Sequence, residues 1–156
     1  MSKSRRTSCR GLEEQAIVEA CLVDKSRCSG KQRALRVIIN RGRDLTRRKQ
    51  LQLVNRWINS HERYRSDRKR PLEHREVQTK QKWSTLLDFL RRGGDCEDYA
   101  TAKYLILREL GVPPDDMRVV VVFDRKTREH HALVAVRTSR DLSLIHISEP
   151  TRPLDI

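Results

Sequence analysis

Apolar residues recur at helical spacing in the first part of the chain. Residues three and four positions apart predict helices over residues 12–23, between Gly30 and a break at residues 41–44, and after Thr46. Thr46 is a suitable N-cap for the third of these helices because its side chain can accept a backbone N–H. The residues that form the predicted apolar stripe of this third helix are Leu51, Val54, Trp57 and Ile58.

The later part of the chain predicts two more helices and then two strands. A hydrophilic stretch over residues 61–82 predicts a surface loop, and a short helix follows Thr85. A longer helix is expected from Asp95 to Leu110, where Gly111 supplies a C-cap and two prolines forbid continuation.

Beyond this helix the spacing of apolar residues changes to that of strands. The β-branched run at residues 117–123 predicts a buried strand, and residues 130–136 predict the strand that returns after a polar turn. Helices followed by an antiparallel sheet give an α+β class.

Composition and charge limit the function classes. With 156 residues the chain suits one domain. Its net charge of +13 makes nucleic acid, acidic partners or an anionic membrane surface possible binding partners. The basic stretch at residues 61–82 lacks the interleaved aromatic residues of such sites, so no nucleic acid is expected. No apolar run reaches the roughly 20 residues that span a bilayer, and no signal peptide is visible.

The residue with the clearest chemical potential is Cys96. It would lie in the first turn of a helix, where unpaired N–H groups stabilise a thiolate and could bind an oxyanion. The return strand offers His130 and His131 as bases, and strand alternation lets only one of them face the cysteine helix. Such a pair is typical of Cys–His acyl transfer. A packed thiol and a surface imidazole are the alternative.

Three carboxylates surround this cysteine: Asp95, Glu97 and Asp98. Acids at a helix N-terminus are favourable through the helix dipole, so ordinary capping is one interpretation. Three hard oxygen ligands within four residues also suit calcium, although the spacing is not that of an EF-hand. Anions beside Cys96 would raise the pKa of its thiol unless a cation compensates.

The remaining cysteines match no zinc spacing, since the chain has no Cys-x-x-Cys. Cys21 and Cys28 are separated by a short loop and could form a disulfide, or could be two ordinary thiols; both interpretations stay open.

The run Gly-Gly-Asp-Cys-Glu-Asp-Tyr-Ala at residues 93–100, with Ala-Lys-Tyr and Leu-Arg-Glu-Leu-Gly-Val-Pro after it, resembles the bacterial transglutaminase-like cysteine proteinases of the LapG type. The similarity extends back to residues 53–59 and forward to residues 131–136, and covers roughly residues 45–140.

This resemblance implies a papain/transglutaminase-like fold, with N-terminal helices packed on an antiparallel sheet, and a Cys–His–Asp triad. Cys96 takes the nucleophile position, and His131 precedes the family's strand pattern. It also implies calcium held by Asp95, Glu97 and Asp98. Family members are periplasmic, cleave a biofilm adhesin, and are recognised by an inner-membrane receptor that senses cyclic di-GMP. Export would suit a Cys21–Cys28 disulfide.

The chain departs from the family pattern in several places. Lys82 and Leu86 stand where the family has an acid and a proline, so the substrate rim is expected to differ. Residues 142–156 resemble a translated sequencing adapter, which predicts a non-native tail and the loss of the triad aspartate. Asp141 comes too early for that role and Asp155 too late.

These expectations define three segments: a flexible lead at 1–11, a truncated peptidase domain at 12–141, and the tail at 142–156. The expected function is a cysteine endopeptidase that acts through an acyl-enzyme on a cell-surface or periplasmic protein. Transglutaminase-type acyl transfer and a catalytically impaired or basic binding module are the alternatives.

Overall fold

The computed structural model describes residues 4–63, 84–126, 128–138 and 142–145. Its elements in chain order are α1 (Ser4–Val23), α2 (Lys31–Gly42), α3 (Arg47–His61), α4 (Leu86–Arg92), α5 (Cys96–Glu109), β1 (Met117–Asp124), β2 (Glu129–Arg137) and β3 (Leu142–Ile145). Single 3₁₀ turns precede α2 and β1. The predicted order of helices followed by an antiparallel sheet is confirmed.

The helix boundaries follow the sequence signals closely, with one exception. α4 begins after Thr85, whose hydroxyl accepts the Asp88 N–H at 3.2 Å, and α5 begins at Cys96 as predicted. α1 begins at Ser4, within the segment for which the sequence predicts a flexible lead. Most of the predicted surface loop at residues 61–82 lies outside the described residues; its first residue, His61, ends α3.

The core lies between α5 and the elements around it. α5 packs against α3, α4 and β2. The side chains fully removed from solvent include Ile39, Val54, Ile58, Ala100, Ile106, Leu107, Val134 and Val136. Apolar burial of this kind contributes on the order of 1.5–3 kcal/mol for each large side chain. α5 is therefore the element around which the described part of the chain is packed.

The sheet has the order β1-β2-β3, and both pairs are antiparallel. β1 pairs with β2 in a register that sets Val121 against Ala132 and Phe123 against His130. The prediction that β1 is buried is wrong. Met117 is buried, but Val121 is 64% and Phe123 53% exposed. β1 lies at the edge of the sheet, and a run of valines does not by itself distinguish a central strand from an edge strand.

Residues 142–145 of the adapter-like segment form β3, which pairs with β2 from Arg137↔Leu142 to Val134↔Ile145. The open edge of β2 can accept any extended segment, because the ladder is made by main-chain groups that are the same in every residue but proline. The rest of this segment lies outside the described residues.

Cys21 and Cys28 are joined by a disulfide that connects α1 to the start of α2. Of the two interpretations left open by the sequence, the structure has the paired one. None of the helices in the described ranges is long and apolar enough to cross a membrane.

Candidate active site

Two glycines shape the loop that leads into Cys96. Gly93 has φ +72, in the left-handed region, and a Cβ there would clash with the carbonyl oxygen of Arg63. A Cβ at Gly94 would clash with the carboxylate of Asp98. The paired glycines are therefore required by the close approach of this loop to Arg63, just beyond α3, and to the first turn of α5.

The acids beside the cysteine form a capping box. Asp95 Oδ1 accepts the N–H groups of Glu97 at 3.1 Å and Asp98 at 3.3 Å. Asp98 Oδ2 in turn accepts the Asp95 N–H at 3.3 Å, and Asp98 Oδ1 accepts the Ser84 N–H at 3.1 Å. These bonds satisfy donors that a helix start leaves unpaired and fix the loop before α4 to α5.

Cys96 occupies the first helical position of α5 and is half-buried. Burial raises the pKa of the Cys96 thiol, the N–H of Ala132 lowers it, and the charges of Asp95 and Glu97 raise it further. The net pKa lies above the usual range for a thiol. Burial and two anions outweigh the N–H groups that favour a thiolate at the helix start. The expectation that the neighbouring acids raise this pKa is confirmed.

The N–H of Ala132 brings β2 directly to the sulfur. His131 is the preceding residue, is half-buried, and pairs in register with Val122. His130 is exposed, and its ring lies 5.1 Å from the ring of Phe123, also exposed. The structure thus gives the two histidines different surroundings. The role of His131 as the partner of Cys96 stays a prediction.

The first-turn N–H groups are mostly occupied. Those of Glu97 and Asp98 donate to Asp95 Oδ1, and that of Tyr99 donates to the Asp95 carbonyl at 3.1 Å. The N–H of Cys96 contacts its own sulfur. An oxyanion formed at Cys96 would therefore find the Cys96 N–H as its nearest first-turn donor, rather than the several donors that the sequence suggests.

The chemistry of the three acids fits calcium, which prefers hard oxygen ligands and takes 6–8 of them. Each Asp98 oxygen accepts a single N–H, and a carboxylate offers about four lone-pair sites, so capacity for a cation remains. Their arrangement is that of a cap, however: within the described ranges no three His, Cys, Asp or Glu side chains converge as a metal site. Asp141 and Asp155 lie outside these ranges.

One unusual residue was not predicted from the sequence. Lys103, two turns after Cys96 on α5, has no solvent exposure. Its ammonium donates to Asn55 Oδ1 at 2.6 Å and to Asn59 Oδ1 at 2.8 Å, and it lies 5.9 Å from the centre of the Tyr99 ring. Burial lowers the pKa of Lys103 to about 7. Two asparagines four residues apart beside the apolar stripe of α3 are the signal that could have indicated a buried polar partner.

A second buried ionic group, Glu62, lies at the end of α3, next to the loop that contains Gly93. The Glu62 carboxylate accepts Lys31 Nζ at 3.0 Å through both oxygens, and the Glu62 carbonyl accepts the Tyr99 hydroxyl at 2.9 Å. Burial raises the pKa of Glu62, and the Lys31 hydrogen bond opposes that shift. α2, the end of α3 and α5 are thus linked just below the glycine loop.

Comparison with solved structures shows that the fold occurs in known proteins. The calcium-bound LapG of Legionella pneumophila has the same fold, with a TM-score of 0.66 and 22% identity over 82% of this chain and 71% of that one. The EGTA-treated LapG from the same organism gives a TM-score of 0.65 and 23% identity over 82% and 69% of the two chains. No curated protein sequence matches the chain.

The family profile described as bacterial transglutaminase-like cysteine proteinase matches residues 12–145, which include every element from α2 to β3. The match contains the capping box, Cys96 and the strand that meets it. The chain belongs to the bacterial transglutaminase-like cysteine proteinase family.

Proposed function

We propose that the protein is a cysteine endopeptidase in which Cys96 is the nucleophile and His131 the general base and acid. The observation that carries the proposal is the position of the Cys96 sulfur. It lies at the start of α5, against the β2 main chain one residue beyond His131. A thiol held between a helix start and a histidine-bearing strand is suited to covalent acyl transfer.

In this mechanism the His131 imidazole takes the proton of the Cys96 thiol, which offsets the raised pKa by forming an ion pair. The thiolate attacks the carbonyl carbon of the scissile peptide, and the oxyanion forms near the N–H of Cys96. Collapse breaks the C–N bond, and the imidazolium gives its proton to the leaving amine. Water, deprotonated by His131, then hydrolyses the thioester and restores the free thiol.

The test is proteolysis of a denatured protein mixture, with new α-amino termini identified by mass spectrometry. The wild-type protein should generate new termini, and a peptide vinyl sulfone should label Cys96. Cys96→Ser should abolish both, and His131→Asn should lower the cleavage rate by at least about 10³-fold. His130→Asn is the matched control and should retain activity. Cleavage that survives Cys96→Ser, or a wild-type protein that is neither active nor labelled, would contradict the proposal.

The same thioester can be attacked by an amine instead of water, which would make the protein a transglutaminase. Incorporation of a dansylated amine into glutamine side chains, with no new α-amino termini, would favour this alternative. Loss of every covalent reaction with salt-dependent binding retained would favour a basic binding module.

We also propose that calcium binds at the start of α5 through Asp95, Glu97 and Asp98, with further oxygens from main chain or water. The support is the hard-oxygen chemistry of these side chains and the calcium-bound and EGTA-treated forms of the LapG neighbours. Bound calcium would supply positive charge beside the loop that carries the nucleophile. Chelation by EGTA should lower the melting temperature, and Asp95→Asn should remove that shift. An EGTA-insensitive melting temperature would contradict this site.

We further propose a periplasmic location, an adhesin-like protein substrate and a cyclic di-GMP receptor as partner. The support for these three proposals is the family relationship. Fractionation of the host cells that express the natural gene checks the location. Active protein should be found in the periplasmic fraction.

A further inference from the structure

A basic cavity of about 200 Å³ lies beside the loop that carries the nucleophile. It is formed where the end of α3, the end of α4 and the start of α2 meet, and its wall includes Gly93. The cationic residues that line it are Lys31, Arg63, Arg91 and Arg92, and Glu62 is the acid among the lining residues.

The charges of the described residues that line this cavity do not cancel. Lys31 Nζ forms an ion pair with the buried Glu62 carboxylate at 3.0 Å. Arg63, Arg91 and Arg92 are exposed, and no acid in the described part of the chain forms an ion pair with any of them. Three guanidinium groups from two chain segments therefore line one cavity, and none of them has a carboxylate partner among the described residues.

The helix dipole explains part of this arrangement but not all of it. Cations are favoured at helix C-termini, and these arginines lie at the ends of α3 and α4. Two helix ends amount to about one negative charge, whereas the three arginines carry three positive charges. The excess favours an anion in the cavity, and guanidinium groups bind carboxylates in a bidentate manner.

We propose that this cavity binds an acidic side chain of the protein substrate, close to the bond that is cleaved. This inference rests on the proposed peptidase function and names the substrate class for the same site. Gly93 and Cys96 are three residues apart, so their Cα atoms are separated by at most about 11 Å. An extended substrate advances about 3.3 Å per residue. That separation corresponds to about three residues, and the width of the cavity adds about two more, so the acidic residue is placed within about five residues of the scissile bond.

The binding test uses Cys96→Ser protein and labelled hexaglutamate, with hexaglutamine as the neutral probe, measured by fluorescence anisotropy at low and high salt. Hexaglutamate should bind at least about tenfold more tightly than hexaglutamine, and salt should weaken it. Arg91→Gln/Arg92→Gln should weaken hexaglutamate binding at least about tenfold. Arg41→Gln/Arg48→Gln removes the same charge from exposed sites outside the cavity and should change binding less than about twofold.

Equal losses of hexaglutamate affinity in the two double variants would overturn the proposal, since the net charge of +13 would then explain the binding. Displacement of hexaglutamate by inorganic phosphate at lower concentration than by free hexaglutamate would also overturn it, in favour of a site for a small anion. Tighter binding of an oligothymidine of equal charge, with the same dependence on Arg91 and Arg92, would identify a nucleic-acid site instead. If the double variant fails to fold, Arg63→Gln, just beyond the end of α3, should likewise weaken hexaglutamate binding.

A cleavage experiment separates this proposal from the peptidase proposal. Paired peptides that differ only in an acidic or amide residue four positions from the cleaved bond should differ at least about tenfold in kcat/KM, chiefly through KM. Arg91→Gln/Arg92→Gln should remove this preference. Cys96-dependent cleavage without the preference would defeat the cavity proposal alone. Acid-selective binding without any Cys96-dependent cleavage would defeat the peptidase proposal alone.

Discussion

The ionisable side chains in the first turn of α5 and in the turn that carries Lys103 differ in solvent exposure and in the kind of hydrogen-bond partner. In the first turn, Asp95 and Asp98 are partly exposed and pair with backbone N–H groups of the same helix start. Two turns later, Lys103 is removed from solvent and pairs with two neutral amide oxygens from α3. The first arrangement orders a loop, and the second fixes α5 to its neighbour.

The comparison also shows what burial does to each titrating group. Burial raises the pKa of the Cys96 thiol and lowers that of the Lys103 ammonium, so both shifts favour the uncharged form. Cys96 lies at a surface where an incoming group can reverse its shift. Lys103 has only the protein around it. The Cys96 thiol can therefore become a thiolate during a reaction. The protonation state of Lys103, in contrast, is set by the folded structure and the pH.

The largest expected effect tests whether the helix start depends on its glycine loop. Gly93→Ala should lower the free energy of unfolding by more than about 3 kcal/mol, because a Cβ meets the Arg63 carbonyl in addition to the strain of a positive φ. Gly111→Ala, beyond the other end of α5, has φ +85 but nothing within 4 Å of its Cβ, and should cost only about 1–2 kcal/mol. Urea denaturation measures both. Equal losses would show that the contact with Arg63 is not what holds the loop.

The second effect is a pH dependence that originates in Lys103. Its pKa is about 7 in the folded chain against the ordinary 10.5, so between these values the unfolded chain binds more protons. The free energy of unfolding should therefore rise with pH through this window. From pH 7 to pH 9 the contribution of Lys103 is about 2 kcal/mol. Urea denaturation at both pH values measures the rise, and Lys103→Met should reduce it by that amount.

The control for this effect is Lys49→Met, which removes an exposed lysine from α3 and should leave the wild-type pH dependence in place. If Lys103→Met keeps the full pH dependence, the two asparagines and the Tyr99 ring stabilise the ammonium enough to offset its burial, and the contrast between the two turns of α5 disappears.

How far the sequence predicted this structure depends on whether a signal is local. The start of α5 was predicted because Gly94, Asp95 and the following acids specify a turn and a cap within a few residues. The hairpin was predicted from alternation and a polar turn. The exposure of β1 was not, since burial of a strand depends on what packs over it. Lys103 was missed because its partners lie 44 and 48 residues earlier in the chain.

The smallest expected effect tests whether the acids at the helix start act as caps. Asp98 and Asp88 both occupy the third helical position, in α5 and α4 respectively. Asp98 accepts N–H groups from Ser84 and Asp95, whereas no hydrogen bond to the Asp88 carboxylate is found within the described ranges. In EGTA, Asp98→Ala should therefore cost about 1–2 kcal/mol, and Asp88→Ala only the dipole interaction of about 0.5 kcal/mol. Thermal and urea denaturation measure the difference. If the two substitutions cost the same in EGTA but Asp98→Ala costs more in calcium, the carboxylate acts as a metal ligand and not as a cap.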